Sequence, residues 1–267
     1  MEEGGTVRVR AAALAPIGTS PPVVTEFLQY LMEAEGIGVT DLTVMATRDP
    51  QVMEGVRLIE AGVNDRYPHV RLRVVEMPFE DVDSRERVVD FASLASGALG
   101  ELERAGASSI HVCVAGGRKD MSIALATISQ FHSVSGVYHI VMPDVRNFNA
   151  ELERARKDVS DLAALPEDRR LDFYRSRRSV LEHLLFPPPS SYSVIRIPVL
   201  PYPRGILRTV LGALRERRFR ADRLEYGMLS QLSELGYVRV SGAEAYLTGD
   251  GEYLLKFLGA ALGGSDR

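Results

Sequence analysis

The chain has 267 residues, 45% hydrophobic and 25% charged, with a net charge of −4. That balance suits a folded globular protein and supplies no global field to draw it onto nucleic acid. One cysteine, Cys113, excludes an internal disulfide framework and a cysteine-based zinc site; no apolar run approaches the ~20 residues that span a bilayer, and the acidic start is not a signal peptide, so a cytoplasmic location is expected.

Thr6 to Ala15 reads as a first strand through Val7, Val9 and Ala11 to Leu14, with Arg8 and Arg10 at its start. Pro16-Ile17-Gly18-Thr19-Ser20-Pro21-Pro22 follows, then an amphipathic helix from about Val23 to Glu35 with the stripe Val24, Phe27, Leu28 and Leu31. Ser20 before Pro21 has the form of an N-cap ahead of a first-turn proline. Asp41 to Thr47 is a second buried strand, and Arg48-Asp49-Pro50 opens a helix of about Gln51 to Asn64. Val70 to Met77 is a third strand, followed by a helix from Asp83 to Ala105.

Next, Ile110, Val112, Val114 and Ala115 have the length and β-branching of a strand buried on both faces. It ends in Gly116-Gly117-Arg118-Lys119 before a helix from Met121 to Phe131. A strand running through Gly-Gly into a helix leaves backbone N–H groups facing outward where anions are stabilised. Only three of the 32 basic residues are lysines (Lys119, Lys157 and Lys256), and a lysine is a compact three-donor charge suited to one phosphate oxygen. The turn therefore reads as a phosphate pocket.

Val137 to Met142 is a fifth strand. Strands alternating with helices of this length indicate βαβ units and a parallel, doubly wound sheet, whose ligands sit beyond the carboxyl ends of the strands at the switch in strand order. The turns after strands one and four both lie at that edge. Asn149 to Leu185 is a charged helical region broken at Pro166, containing Arg178-Ser-Val-Leu-Glu-His183, a spacing that some RNA-cleaving helical domains use. Val194 to Leu200 is a further strand, and Pro201-Tyr202-Pro203 a rigid link. Beyond it come a helix (Ile206 to Arg217), a helical stretch from Arg220 to Leu235 with room for a turn, a strand from Gly236 to Val240 and a return strand from Ala245 to Leu247. A last helix, about Asp250 to Leu262, is capped by Thr248. The segment LSELGYVRVSGAEAYLTGDGEYLL resembles a winged helix-turn-helix, although its recognition helix carries Glu225 and Glu234, and only Gln231 suits base readout. The expected units are 1–148, a connector at 149–204, and 205–267.

The pair APIGTSPPVVTEFL and HVCVAGGRKDMSIAL resembles the two signature turns of CARF domains, the Rossmann-like sensors of type III CRISPR systems, over roughly residues 6 to 148. The resemblance implies a homodimer that binds cyclic oligoadenylate across its twofold axis, since a ring of four phosphates shares that symmetry. Gly18, Thr19 and Ser20 would contact ribose and phosphate from the first turn; Gly116, Gly117, Arg118, Lys119 and Met121 would hold a phosphate from the second. Some CARF proteins cleave the ring by attack of a ribose 2′-hydroxyl on the adjacent phosphate, a step needing no metal and no cofactor. Lys119 and Arg118 would then neutralise the developing charge, and Ser20 would orient the hydroxyl. None of the five histidines lies in either turn. The extra proline leaves open whether Thr19 or Ser20 takes the contact position.

Three functions compete. A ring nuclease degrading cyclic tetra-adenylate is favoured by the Gly-Gly-Arg-Lys turn. The alternative is a ligand-responsive transcription regulator contacting DNA through 205–267. A ligand-activated RNase using Arg178 and His183 is the weakest, because only about 40 residues are available for a helical nuclease domain; a nucleotide-binding protein outside CRISPR is a minor fourth reading.

Overall fold

The computed structural model describes residues 10–143 and 145–263, at 145–149 the backbone alone. The first predicted strand begins outside the described residues; its described part is β1, Ala11–Pro16, buried at every position. β1 is apolar throughout because both its faces are covered. Ala12 and Leu14 face one core and Ala13 and Ala15 the other, the two-residue period of a strand.

Four βα units follow the expected rhythm. α1 (Pro22–Gln29) continues through one π turn at Tyr30–Ala34 and leads to β2 (Val39–Ala46), α2 (Pro50–Arg66), β3 (Arg71–Glu76) and α3 (Arg85–Arg104). Then come β4 (Ser109–Cys113), α4 (Lys119–Ser129) and β5 (Gly136–Val141). Asp49 and Ser84 cap α2 and α3 through their side chains. Ser20 does not cap α1, contrary to the sequence reading. The consecutive prolines shift the start by one residue, so that Pro21 takes the N-cap place and Pro22 the first turn.

The sheet order is β3-β2-β1-β4-β5-β6. β1 to β5 are mutually parallel, but β6 (Ser193–Ile197) runs antiparallel to β5, so the sheet is mixed rather than wholly parallel. The return through α5 (Val145–Ala164), α6 (Glu167–Ser176) and α7 (Arg178–Leu185) explains this: three helices bring the chain back with a direction that a single crossover would not give. A second break, at Arg177, accompanies the one at Pro166.

The rest of the chain comprises α8 (Arg204–Arg215), β7 (Arg218–Arg220), α9 (Tyr226–Glu234), β8 (Val238–Ser241), β9 (Glu244–Leu247) and α10 (Gly249–Gly263), with a three-stranded antiparallel sheet in the order β7-β9-β8. Thr248 caps α10 by accepting the Gly251 N–H at 3.0 Å. β7 ends at Arg220, and the stretch expected to be helical from there opens with a single 3-10 turn at Ala221–Arg223 before α9. The one inward side chain of β7, Phe219, joins a core continuous with that of α3 and α4.

A buried polar network clamps this part to the large sheet. Ser96 of α3 donates to the Ala261 carbonyl of α10 at 2.7 Å and lies 3.0 Å from His132 Nε2, while His132 Nδ1 stands 3.3 Å from Glu103. Arg204, opening α8, donates to the Phe131 carbonyl at 2.9 Å and reaches Glu103. Burial opposes ionisation of Glu103, yet its contact with His132, the Ser133 N–H donating to it at 2.7 Å and the nearby Arg204 charge hold its carboxyl at about 2. No helix among the described residues is long and apolar enough to cross a membrane.

Candidate functional site

Strand order reverses between β1 and β4, and the loops leaving both strands meet there. Their contact is dictated by glycines. A Cβ on Gly116 would stand 1.9 Å from the Pro16 carbonyl oxygen, and one on Gly18 would stand 3.2 Å from the Gly117 nitrogen. Gly117 has φ +78°, a left-handed conformation that glycine adopts without cost. Gly116 therefore lets β4 pass close behind the end of β1, and Gly117 turns the chain into α4.

α4 begins at Lys119, with Arg118 at the N-cap place, where its side chain makes no cap hydrogen bond. The Arg118 N–H at the N-cap donates to Met121 Sδ at 3.4 Å; the amides of the first turn of α4 have no intrahelical acceptor, and among the described residues no side-chain oxygen caps them. α1 differs: Pro21 and Pro22 carry no N–H, so this loop offers hydroxyls instead of amides. Among the described residues, neither the Thr19 nor the Ser20 hydroxyl has a hydrogen-bond partner and Lys119 has no ion pair; Thr19 and Lys119 are exposed, Ser20 half-buried.

A cleft of about 450 Å³ opens beside these loops, lined by Gly18, Thr19, Gly117, Arg118 and Met121 and by residues from the ends of β2 and β3, among them Thr47, Asp49, Glu80 and Asp81. Of the residues singled out from sequence, it thus gathers five. Gly116 lies behind the wall, packed on Pro16. Ser20 and Lys119 are each one residue outside the lining.

The Arg118 guanidinium is engaged: Nε donates to Asp81 Oδ1 at 2.6 Å and Nη2 donates to Oδ2. This fork holds the Asp81 carboxyl below its usual range. The pair is exposed, and exposed ion pairs are weak and easily exchanged. A phosphate presents the same two-oxygen edge to guanidinium. Thr47, Asp49, Glu80 and Asp81 escaped the sequence reading. The order β3-β2-β1-β4 is what carries the ends of β2 and β3 to this edge, and the placement of Thr47 at the end of the second strand was the one signal for it.

Elsewhere, Cys113 is buried and its thiol is pushed up to about 12, chiefly by that burial, which makes it a packing residue. Arg178 pairs with Glu182 at 2.6 Å and Asp65 at 3.4 Å, which ties α7 to α2.

A CRISPR system ring nuclease of Saccharolobus solfataricus, SSO2081, is 25% identical over 158 residues, covering 58% of this chain and 81% of that relative. Among solved structures, Enterococcus italicus Csm6 bound to cyclic hexa-2′-fluoro-hexa-dAMP aligns at 13% identity and a TM-score of 0.43, covering 85% of this chain and 50% of its own. Protein VC1899 of Vibrio cholerae aligns at 10% identity and a TM-score of 0.36, covering 96% of this chain and 66% of its own. The family model of CRISPR-associated protein NE0113 matches residues 20–225, which takes in α1 and the whole Gly116–Lys119 turn. That span is well over half of the sequence, and the chain belongs to the CRISPR-associated NE0113 family.

Proposed function

We propose that the chain is a CARF-type homodimer that binds cyclic oligoadenylate, cyclic tetra-adenylate first, and cleaves it without a metal to linear products ending in a 2′,3′-cyclic phosphate. The observation that carries this reading is the contact of the two loops, Gly18 on Gly117, which supports one ligand touched by hydroxyls from the first and cations from the second. The resemblance of the chain to a CRISPR ring nuclease supports cleavage over sensing alone.

In the proposed reaction a ribose 2′-oxygen attacks the neighbouring phosphorus, its proton leaves to solvent, and the 5′-oxygen departs and is protonated. The nucleophile belongs to the ligand, so the protein's work is to align it and to neutralise charge. Lys119 and the first-turn amides of α4 face the non-bridging oxygens; Ser20 or Thr19 orients the 2′-hydroxyl. Arg118 joins by exchanging Asp81 for phosphate.

The second reading is regulation through DNA. The order of elements α8, β7, α9, β8, β9 and the sheet order β7-β9-β8 support a winged helix. The recognition helix argues against DNA: from Leu224 to Leu235 it carries Glu225 and Glu234 and no basic residue, and only Gln231 suits base readout.

The test is to incubate the protein with cyclic tetra-adenylate in EDTA and resolve the products by chromatography. Linear species with a 2′,3′-cyclic phosphate are expected. Intact ligand, together with a ligand-dependent mobility shift of promoter DNA, would establish the second reading instead.

A further inference from the structure

We infer that the cleft beside the two loops is a nucleobase subsite in which Thr47 and Asp49 read the 6-amino edge of adenine; the inference rests on the ligand class proposed above. The chemistry of the cleft differs from that of the turn next to it. Glu80, Asp81 and Asp49 line it against a single cation among the lining residues, Arg118. Away from Arg118 such a wall disfavours phosphate. Nor are the carboxylates gathered for a cation: among the described residues no group of three or more His, Cys, Asp or Glu side chains is placed to hold a metal ion.

What the cleft offers is an apolar bed and hydrogen-bond acceptors. Ile17, Val52 and Met121 are each at most 5% exposed and present carbon and sulfur to it. Thr47 is 5% exposed as a residue and lines the cleft, and among the described residues its hydroxyl makes no hydrogen bond within the protein. A hydroxyl that faces an open cleft can exchange its water for a ligand atom and so help to fix the orientation of that ligand. Asp49 Oδ1 accepts from the N–H groups of Gln51 and Val52, at 2.9 and 3.0 Å, and among the described residues Oδ2 has no hydrogen bond. Two residues apart at the end of β2, a hydroxyl and a free carboxylate oxygen form an edge that accepts at one point and donates or accepts at the other.

Adenine fits that edge. Its flat ring suits the apolar bed, its amino group donates to a carboxylate, and a ring nitrogen beside that group accepts from a hydroxyl. Hypoxanthine inverts the pattern, because a carbonyl replaces the amine and the adjacent nitrogen carries hydrogen. A carboxylate facing that carbonyl is left unpaired, which is the situation that yields strong rejection of a near-isostere. Phosphate on the cationic turn and base in the acidic cleft also give Arg118 and Asp81 separate duties once they part.

The experiment measures equilibrium binding of cyclic tetra-adenylate made uncleavable by 2′-deoxy sugars, against its cyclic inosinate counterpart, whose phosphates and sugars are the same. The wild type should prefer the adenylate by about 10- to 100-fold. Thr47→Val, which keeps the shape and removes the hydroxyl, should weaken adenylate binding about 10-fold. Asp49→Asn retains an oxygen to cap α2, so the fold survives, and puts an amide N–H where the carboxylate was; its preference should shift toward the inosinate. Equal affinity of the wild type for both rings, or both variants keeping its preference, overturns the subsite and leaves the ring-binding reading intact. Failure of the wild type to bind either ring overturns both.

Discussion

Replacing Gly116 with alanine tests the convergence of the two loops without any ligand. A Cβ there would stand 1.9 Å from the Pro16 carbonyl oxygen and 2.9 Å from its carbon. A carbon–oxygen contact keeps ~3.3 Å, so the two backbones must part by about 1.4 Å. Pro16 cannot simply yield, because β1 is held between β2 and β4 and the next residue, Ile17, donates to the Met45 carbonyl at 2.9 Å. Overpacking costs typically ~1–3 kcal/mol, and a clash of backbone with backbone where the β4 loop meets the end of β1 belongs at the top of that range. At roughly 2–4 °C per kcal/mol for a chain of this size, Gly116→Ala should lower the melting temperature by about 6–12 °C in scanning calorimetry. Gly18→Ala is the control: its nearest neighbour would lie at 3.2 Å, which a few tenths of an ångström relieves, and its melting temperature should fall by less than about 3 °C. Equal melting temperatures for the two variants would refute the close passage of β4 behind β1.

Three further outcomes are expected. Lys119→Ala should lower the cleavage rate about 10²- to 10³-fold while changing the melting temperature little, since the ammonium is exposed and unpaired among the described residues; loss of stability in place of rate would reassign it. Asp81→Asn should tighten binding of cyclic tetra-adenylate several-fold by freeing the Arg118 fork, and unchanged affinity would show that Arg118 takes no part. Glu26 is fully buried without a hydrogen-bond partner, and burial raises its carboxyl from 4.5 to about 7. The folded state therefore holds the proton more tightly than the unfolded one, so this stabilisation is complete below pH 4.5 and is lost as pH rises toward 7. The loss amounts to about 3 kcal/mol at most. Glu26→Gln should flatten the fall in melting temperature between pH 5 and pH 8, and an unaltered slope would place the titration elsewhere.

Local pattern made much of the molecule readable. The runs of Ala11 to Leu14 and Ile110 to Val114, each followed by a turn and an amphipathic helix, announce buried parallel strands, and the Gly116-Gly117 pair announces the loop that does the close packing. Features that depend on distant partners were not readable. The direction of β6 is set by three helices returning the chain, not by the composition of Ser193–Ile197. β7 is three residues long with a single apolar side chain, too short to show a period. Arg118 looked like a free anion ligand because its partner, Asp81, lies 37 positions away and meets it only after β3 and β4 enter one sheet. Thr47 and Asp49 have the same explanation: they end the strand next to β1, and only the strand order brings them to the Gly18 loop. Ser20 was misplaced as a cap because two prolines in succession offer two starting points for α1.

The most direct measurement is a structure of the chain with cyclic tetra-adenylate carrying 2′-deoxy sugars, which lack the attacking hydroxyl. One phosphate should lie within ~3 Å of the Lys119 ammonium and the first-turn amides of α4, with the adjoining sugar against Thr19 or Ser20. A ligand touching only one of the two loops, or seated elsewhere on the protein, would contradict the proposal that both grip the same phosphate.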